Sequence, residues 1–412
     1  MDSAERDLLR QSVRSFLAAN WPADKAVENA NDAAAVTKLW QGMAQQGLAT
    51  LGADRAEAGL GEIVLVFEEL GRASCPAPLL GAVAANLALA KQPSNAARAL
   101  LEDLHQGTAS IALGLGAFDG DLAAGRVTLR GGSLQGTLSF VEGAKTATHF
   151  VVFTDEPTGV AIAARDASGL TMRAAPGLAV PSFADLTFDG TPASAIAMQT
   201  ETLADIAMVA RLACAGRAIG AAERAFGLAV DHAKVRKQFG QLIGQFQAVQ
   251  HKLTNCLISL DGARLAIDSA AEAYDRGDPA WRVFAASAIA FASPALRTVS
   301  IETHRALGAI GYAEEHEAPR HFRRVHADLA RFGGVARARA ELADVVHHVA
   351  GGIHRVADHA VARHHGTQRG LARLGQRRQV DAARGQLVEL DEAGRDARHG
   401  AVLAGLAGLD LE

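Results

Sequence analysis

The stretch "VRKQFGQLIGQFQAVQH", Val235 to His251, combines two patterns that serve different purposes. Its second half spaces apolar residues as an amphipathic helix does. Its first half places a cation, an amide, an aromatic ring and a glycine just before that helix, as Arg236, Gln238, Phe239 and Gly240. The chain has only 15 phenylalanines, and a phenylalanine by itself is more often a core residue than a ligand contact. The question is therefore what Phe239 contacts.

Long helices are predicted on both sides of this segment. From about Thr202, "IAMVARLACAGRAIGAAERAFGLAVDHAKV" has few helix breakers, and its small residues allow neighbouring helices to pack closely. After Gly240, one buried stripe is predicted from Leu242, Phe246, Val249, Leu253, Leu257 and Leu260. "PAWRVFAASAIAFASPALRTVSIETHRALGAIG" predicts a further helix with a proline interruption. Residues 199–346 are therefore predicted to form a C-terminal helical domain similar to a four-helix bundle.

The chain before residue 199 divides into two bodies. Residues 1–105 repeat apolar residues at helical spacing and predict an N-terminal all-α domain. Residues 106–198 alternate apolar and polar residues between glycine turns, as in "GRVTLRGGSLQGTLSFVEG". This pattern is typical of short β-strands and predicts a small β-barrel or sandwich. The predicted fold class is α+β, with several domains.

Composition excludes several classes of function. The net charge of −4 gives no electrostatic reason to expect nucleic acid or an anionic membrane as a partner. No run approaches ~18 consecutive apolar residues, so no membrane span is predicted, and the N-terminus lacks the apolar core of a signal peptide. The three cysteines, Cys75, Cys214 and Cys256, fit no metal or disulfide spacing. We expect a cytoplasmic protein without a metal site.

Residues 347–412 form a tail of different composition, rich in Arg, His and Ala. They contain no aromatic residue, no lysine and no proline, but seven of the 15 histidines. The histidine groups lie five or six residues apart rather than the three or four that place ligands on one helical face. Two explanations stay open for the tail: sequence translated out of frame, or a lineage-specific segment that is disordered or loosely helical.

Two motifs carry a resemblance to a known family. Arg236, Phe239, Gly240, Ile243, Phe246, Gln247, Gln250 and His251 match an Arg-x-x-Phe-Gly-x-x-Ile-x-x-Phe-Gln run followed by Gln-His. In "RALGAIGYAEEHEAPRHFRR", a second match comprises Gly308, Gly311, Tyr312, Glu315, His316, Arg323 and Arg324. Over roughly residues 1–346 the chain resembles the acyl-CoA dehydrogenase family, which has the same order of helical, β and helical domains.

The resemblance implies an FAD cofactor shared between two subunits. The flavin ring would lie between the β-domain and the C-terminal helices, and the adenosine diphosphate end would reach a neighbouring subunit. There the resemblance implies contacts with Arg236, Gln238, Phe239, Gln247, Arg305, Gly308 and Gly311, in the numbering of this chain. Cations and amides suit a pyrophosphate, and glycine allows close backbone approach. For Gln247 a capping role stays equally open, and for Arg211 a surface salt bridge is favoured over contact with the pantetheine arm of the substrate.

Two positions depart from the family where its catalytic base is expected. The family removes an α-proton from an acyl-CoA thioester with a glutamate while a hydride leaves to the flavin. Gly333 and Ala210 stand at the two places where that glutamate occurs. The β-domain loop, "IALGLGAFDGD", also lacks the serine and threonine of the family's flavin-binding run.

Three hypotheses follow from this pattern. The first is a subunit of a heteromeric bacterial acyl-CoA dehydrogenase that completes a partner's FAD site, with an acyl-CoA substrate and an electron-transfer flavoprotein as acceptor. The second is a self-sufficient FAD oxidoreductase with a displaced base, such as Asp328 or Glu315. The third is a structural subunit without flavin, in a homo- or hetero-oligomer.

Overall fold

The computed structural model describes residues 3–30, 32–92, 94–116, 125–175, 182–331, 334–344 and 346. Gly333 and the tail from residue 347 lie outside these residues. The helices of this part of the chain include α1 (Ser3–Asn20), α2 (Ala26–Asn29), α3 (Ala33–Gln45), α4 (Leu60–Arg72), α5 (Leu79–Leu89), α6 (Asn95–His105), α7 (Thr200–Val235), α8 (Gln247–Asp275), α9 (Trp281–Leu307) and α10 (Ala318–Ala330). Residues 334–344 are also helical.

Capping side chains explain where several N-terminal helices begin. Asp32 accepts a hydrogen bond from the Ala34 amide at 2.8 Å and starts α3. At the start of α4, the amides of Leu60 and Gly61 donate to the carboxylate of Asp275 at 2.7 and 2.9 Å. Because Asp275 ends α8, this cap ties the first helical body to the last one.

The middle body is a sandwich of two four-stranded sheets. Its strands are β1 (Ile111–Gly114), β2 (Val127–Arg130), β3 (Ser133–Glu142), β4 (His149–Asp155), β5 (Thr158–Ala164), β6 (Leu170–Ala174), β7 (Phe183–Pro192) and β8 (Ser194–Ala197). The sheet orders are β1-β4-β5-β8 and β2-β3-β7-β6. Both sheets contribute to one apolar core, for example with Phe150 and Leu186. The first sheet packs its other face, including Val151, on the helices, which explains why β4 is buried on both faces.

The N-terminal and C-terminal helices share one core around α4 and α7. Gly220 in α7 makes their close approach possible, since a Cβ placed there would lie 1.8 Å from the carbonyl oxygen of Glu68. The small residues of α7 thus allow the close packing predicted from the sequence. The α+β fold with a sandwich between two helical bodies is confirmed.

The predicted buried stripe is observed only in part. Leu260 is buried and Leu257 is 46% exposed, while the other predicted members are half-buried: Leu242, Phe246, Val249 and Leu253. Two apolar residues of α8 outside the stripe, Ile258 and Leu265, are 64% and 68% exposed. The residues of α8 that face the core are instead Cys256, Leu260, Ala263, Ile267, Ala270, Ala271 and Ala273. Apolar spacing indicates a face that avoids water, but it does not specify whether the covering surface belongs to the same chain.

One helix among the described residues, Trp281–Tyr312, is long and apolar enough to cross a membrane by length and composition. Half of its apolar window is buried inside the protein, and a core helix of a soluble protein passes the same test. In α9, Ala285, Ile289 and Leu296 belong to the core.

Candidate cofactor-binding site

A hairpin at the end of α7 presents the first motif. Lys237–Gln238 (β9) pairs with Gln241–Leu242 (β10), so Phe239 and Gly240 form the two-residue turn. Both turn residues have positive φ, 52° and 83°, as a type I′ turn requires. For a bulky residue such as Phe239 this conformation is rare and costs roughly 1–2 kcal/mol. A strained residue at a hairpin tip is a reason to look for a binding role.

The side chains of this hairpin have few partners among the described residues. Phe239 is 94% exposed, and the ring that it contacts in this part of the chain is that of Phe246, 6.3 Å away between centroids. Among the described residues, the guanidinium of Arg236 has no hydrogen bond or ion pair. Gln238 donates to the carbonyl of Lys237 at 2.7 Å. A cation and an aromatic ring are thus available to something outside the described chain.

The second motif follows the end of α9. Gly308 has φ of 62°, and no atom lies within 4 Å of the position a Cβ would take, so its backbone is open to a ligand. Gly311 is buried, and a Cβ there would lie 3.1 Å from the Cβ of Leu307, so a larger residue would be crowded. Arg305 forms an ion pair with Glu302, which also binds Lys252 at 3.0 Å. The charge of Arg305 is therefore partly neutralised.

The fold brings both motifs to one end of the helical bundle. Ala229 near the end of α7, Leu307 at the end of α9 and Ala318 at the start of α10 form a small apolar cluster. Leu253 of α8 packs against the same cluster. The hairpin and the Gly308 turn both leave the bundle beside it. Gln247, the first residue of α8, is exposed on this end, and its side chain has no hydrogen-bond partner among the described residues.

A different arrangement occupies the junction between the sandwich and the C-terminal helices. Arg217 of α7 donates to Glu142 of β3 at 2.6 and 2.8 Å and to Asp328 of α10 at 2.7 and 3.0 Å. Arg324 donates to Asp328 at 3.2 Å, and Arg331 donates to Glu142 at 2.9 Å. All five side chains are buried. We call this group the buried ion cluster.

The buried ion cluster keeps its charges. Burial by itself would raise the pKa of Glu142, but Arg217, Arg324 and Arg331 hold that pKa well below its usual range. Burial lowers the pKa of Arg217, yet Asp328 and Glu142 raise it well above the ordinary value. Three arginines face two carboxylates, so the cluster carries one formal positive charge in excess.

The described residues of the junction leave little open space for a ligand. Two cavities border the buried ion cluster, and Arg331 lines both of them. Each cavity has a volume of about 10 Å³, which is room for about one water molecule. Among the described residues, this junction therefore shows no room for a flavin ring, whereas the exposed hairpin presents a cation and an amide, groups that can bind a phosphate.

The described residues supply no carboxylate placed as a free base at this junction. Ala210 is buried in α7, and Gly333 lies outside the described residues. Asp328 accepts three hydrogen bonds from arginines and has a fully buried side chain. Glu315 is exposed in the turn before α10. Within the same part of the chain, no group of three or more His, Cys, Asp or Glu is arranged to hold a metal ion.

The sequence prediction missed the buried ion cluster. One signal was available: Arg217 is the only charged residue in the apolar run "ACAGRAIGAA", and a buried arginine requires acidic partners. The predicted ion pair of Arg211 exists, with Glu341 at 2.6 Å, but Arg211 is buried rather than at the surface.

Comparisons with known proteins agree with this architecture. Residues 3–108 match the family model "Acyl-CoA dehydrogenase, N-terminal domain", and residues 203–346 match "Acyl-CoA dehydrogenase, C-terminal domain". The chain is 31% identical to acyl-CoA dehydrogenase IpdE2 of Mycobacterium tuberculosis over 334 residues, covering 78% of this chain and 91% of the relative. Identity to IpdE2 of Mycolicibacterium smegmatis is 30%, over 80% of this chain and 95% of that relative.

Two solved structures have the same fold. A variant of the Tcur3481-Tcur3483 steroid ACAD superimposes with a TM-score of 0.77 at 26% identity, over 84% of this chain and 99% of the other. The ChsE4-ChsE5 complex from Mycobacterium tuberculosis gives a TM-score of 0.73 at 22% identity, over 85% and 98%. From the matched domains and the IpdE2 relatives, this chain belongs to the acyl-CoA dehydrogenase family, whose members are oxidoreductases that act on CH–CH groups.

Proposed function

We propose that this chain is a subunit of a heteromeric acyl-CoA dehydrogenase and that its hairpin completes the FAD site of a partner subunit. The observation that carries the proposal is the contrast between the two ends of the C-terminal body. At one end, within the described part of the chain, the guanidinium of Arg236 has no hydrogen bond or ion pair, and the exposed ring of Phe239 contacts the ring of Phe246. At the sandwich junction, where the family's flavin ring would lie, the buried ion cluster fills the interior. The chain is thus suited to one end of the cofactor only.

FAD is the cofactor of the family, and when bound it accepts the hydride that leaves the β-carbon of the acyl-CoA. Arg236 would neutralise the pyrophosphate, and Gln238 would donate a hydrogen bond beside it. Phe239 would cover an aromatic or apolar surface of the cofactor, and the open backbone of Gly308 would allow close approach. Gln247 and Arg305 would border this site. The base that removes the α-proton belongs to the partner, because Ala210 and Asp328 cannot take that role here.

The self-sufficient alternative is disfavoured by the state of Asp328. Its carboxylate is held by Arg217 and Arg324 in the interior, so it is not free to approach a substrate. Glu315 is exposed on the turn before α10. Neither residue offers a carboxylate in a closed pocket, which a base for α-proton removal requires.

The exposed apolar face of α8 favours a stable interface with another protein chain. Leu257, Ile258 and Leu265 are each at least 46% exposed, and Phe291 of α9 is 43% exposed beside them. Exposed apolar residues concentrated on one body commonly mark a protein interface. The relatives are consistent with a heteromer acting on a large thioester, since one solved neighbour is described as a steroid ACAD and another as the ChsE4-ChsE5 complex.

An electron-transfer flavoprotein would reoxidise the complex, and the protein would be cytoplasmic. Residues 1–105, 106–198 and 199–346 would be its three domains, followed by the tail 347–412.

The test is to purify the chain alone and together with a family member that carries the missing glutamate, encoded beside it. We expect flavin only in the complex, and a lower flavin content when this chain carries Arg236→Ala. Arg173→Ala, which removes an exposed arginine of the sandwich, serves as the control. Stoichiometric flavin with substrate-driven bleaching in the chain alone would overturn the proposal. An unchanged flavin content of the Arg236→Ala complex would favour the purely structural subunit.

A further inference from the structure

A cavity lined by none of the residues of the hairpin lies between α1, α4, α7 and α10. Its volume is about 310 Å³, and it is lined by the end of α1 and the turn after it, the end of α4, the middle of α7 and the start of α10. Leu17, Trp21, Pro22 and Ala73 give it an apolar side. The size suits a small ligand rather than a water molecule.

The other side of the cavity is rich in arginine. Two carboxylates, Glu69 and Glu317, line it together with four arginines, which are Arg14, Arg72, Arg224 and Arg320. Arg72 also pairs with Glu223, beyond the lining, at 2.5 Å. The four arginines thus face three carboxylates, including that of Glu223, which leaves one positive charge in excess.

Two of these arginines have donors to spare. Arg14 uses two of its nitrogens on Glu69, at 2.7 and 2.9 Å. Arg224 is bound in the same two-nitrogen manner by Glu317. Because a guanidinium has five N–H donors, each of these two arginines keeps further donors.

Two buried donors next to the cavity have no partner. Trp21 is 3% exposed and Arg320 is 7% exposed, and both line the cavity. Within the described residues, the indole Nε1 of Trp21 and the Nε of Arg320 lack a hydrogen-bond acceptor. The guanidinium of Arg320 is anchored by a 3.0 Å bond from Nη2 to the carbonyl of Ala23. A buried N–H without an acceptor is costly, so an acceptor supplied by a ligand would relieve both.

The floor of the cavity holds a neutral polar group. His321 is 1% exposed; its Nδ1 lies 3.0 Å from the hydroxyl of Ser74, and its Nε2 lies 3.4 Å from Glu317. Burial lowers the pKa of His321, so the ring adds no charge of its own, and the positive excess comes from the arginines.

We propose that this cavity binds a small ligand with an oxyanion group, a carboxylate or a phosphate, next to a short apolar portion. The oxyanion would accept hydrogen bonds from Arg320 and Trp21 and face the excess charge of Arg14 and Arg224. The apolar portion would lie on Leu17 and the neighbouring small residues. This site is independent of the proposed flavin site, so either proposal can fail without the other.

The test uses the tryptophan side chains as reporters. The chain has three tryptophans, so a protein labelled with ¹⁵N at the indoles gives three cross-peaks, and Trp21→Phe assigns one of them. The purified full chain is titrated with sodium phosphate or with sodium butyrate, each against sodium chloride of equal ionic strength. We expect a saturable shift of the Trp21 cross-peak. Trp40 is the internal control, since its indole is bonded to the carbonyl of Ala109 at 2.7 Å.

Two variants separate specific binding from general charge effects. Arg320→Gln removes a charged donor and should weaken the apparent affinity by about tenfold or more. Ala73→Leu narrows the cavity without changing its charge and should also weaken binding. Arg173→Gln, on the sandwich surface, should leave the titration unchanged.

The outcomes are distinct. A response to butyrate alone identifies a carboxylate ligand, and a response to phosphate alone identifies a phosphate ligand. A Trp21 cross-peak that stays at its chloride position with both anions overturns the proposal. So does a titration that Ala73→Leu and Arg320→Gln leave unaltered.

Discussion

Arg217 donates two hydrogen bonds to Glu142 and thereby joins helix α7 to strand β3 in the interior of the protein. Both side chains are buried, and Asp328 completes the set on the other side of the guanidinium. A buried charge of this kind is retained only while its partners are present. The pair therefore holds the sandwich against the C-terminal helices.

Replacing Arg217 by Met should destabilise the chain strongly. Glu142 and Asp328 would lose their main cation while remaining buried, and the removal of one member of a buried pair costs roughly 3–5 kcal/mol. Urea unfolding measures the change in free energy. The matched control is Arg173→Met, because Arg173 and Asp185 form an exposed pair worth at most about 1 kcal/mol. Equal effects of both substitutions would contradict the role of the cluster.

Phe239→Ala should separate stability from cofactor binding. Phe239 is 94% exposed, so its removal should change the free energy of unfolding of the isolated chain by no more than about 0.5 kcal/mol. In the complex with the partner, the same substitution should lower the flavin content. A variant that unfolds more easily, with the flavin content unaffected, would show that the ring has a structural role instead.

Two glycines of α7 should respond to alanine in opposite directions. Gly220→Ala places a Cβ 1.8 Å from the carbonyl oxygen of Glu68 and should force α4 and α7 apart, at a cost of about 1–3 kcal/mol. Gly227 has nothing within 4 Å of its Cβ position, so Gly227→Ala should stabilise the helix by roughly 0.5–1 kcal/mol. Thermal or urea unfolding of the two variants compares them directly. Destabilisation by Gly227→Ala would mean that α7 has a further close neighbour.

Glu68 should make stability fall as the pH rises from about 4.5 to 7. Burial raises the pKa of Glu68 to about 7, with Arg264 opposing the shift, so the folded chain holds a proton that the unfolded chain releases. The stabilisation by this carboxyl group is fully present at pH values below its pKa in the unfolded chain. It is lost as the pH rises through its pKa in the folded chain, by up to about 3 kcal/mol. Glu68→Gln should flatten this slope in urea unfolding at several pH values.

Glu317 provides a contrast in a separate pH range. Its pKa is lowered to about 2; burial opposes the shift, and His321 and Arg224 cause it. The stabilisation by the Glu317 carboxylate is present at pH values above its pKa in the unfolded chain, and it is lost as the pH falls toward 2.

If Glu68→Gln left the slope of stability between pH 4.5 and 7 intact, another group would have to titrate in that range.

The order of the bodies could be predicted from the sequence, because apolar spacing and turn residues are local properties. The two motifs are recognised by their resemblance to a family, and the fold shows that they lie at one end of the bundle. The sequence could not predict that α8 exposes Leu257 and Leu265, since spacing indicates an apolar face and not its partner. The buried ion cluster joins Glu142 to Arg217 and Asp328 across 75 and 111 residues of chain. Contacts of that sequence separation leave no periodic pattern, so only the assembled fold reveals them.

The cap that Asp275 supplies to α4 has a consequence for synthesis of the protein. The first amides of α4 find their acceptor 215 residues further along the chain. During translation the N-terminal helices emerge long before that carboxylate leaves the ribosome. The start of α4 therefore lacks this cap until α8 has been made and has docked, so the first body reaches its final form only after Asp275 has been synthesised.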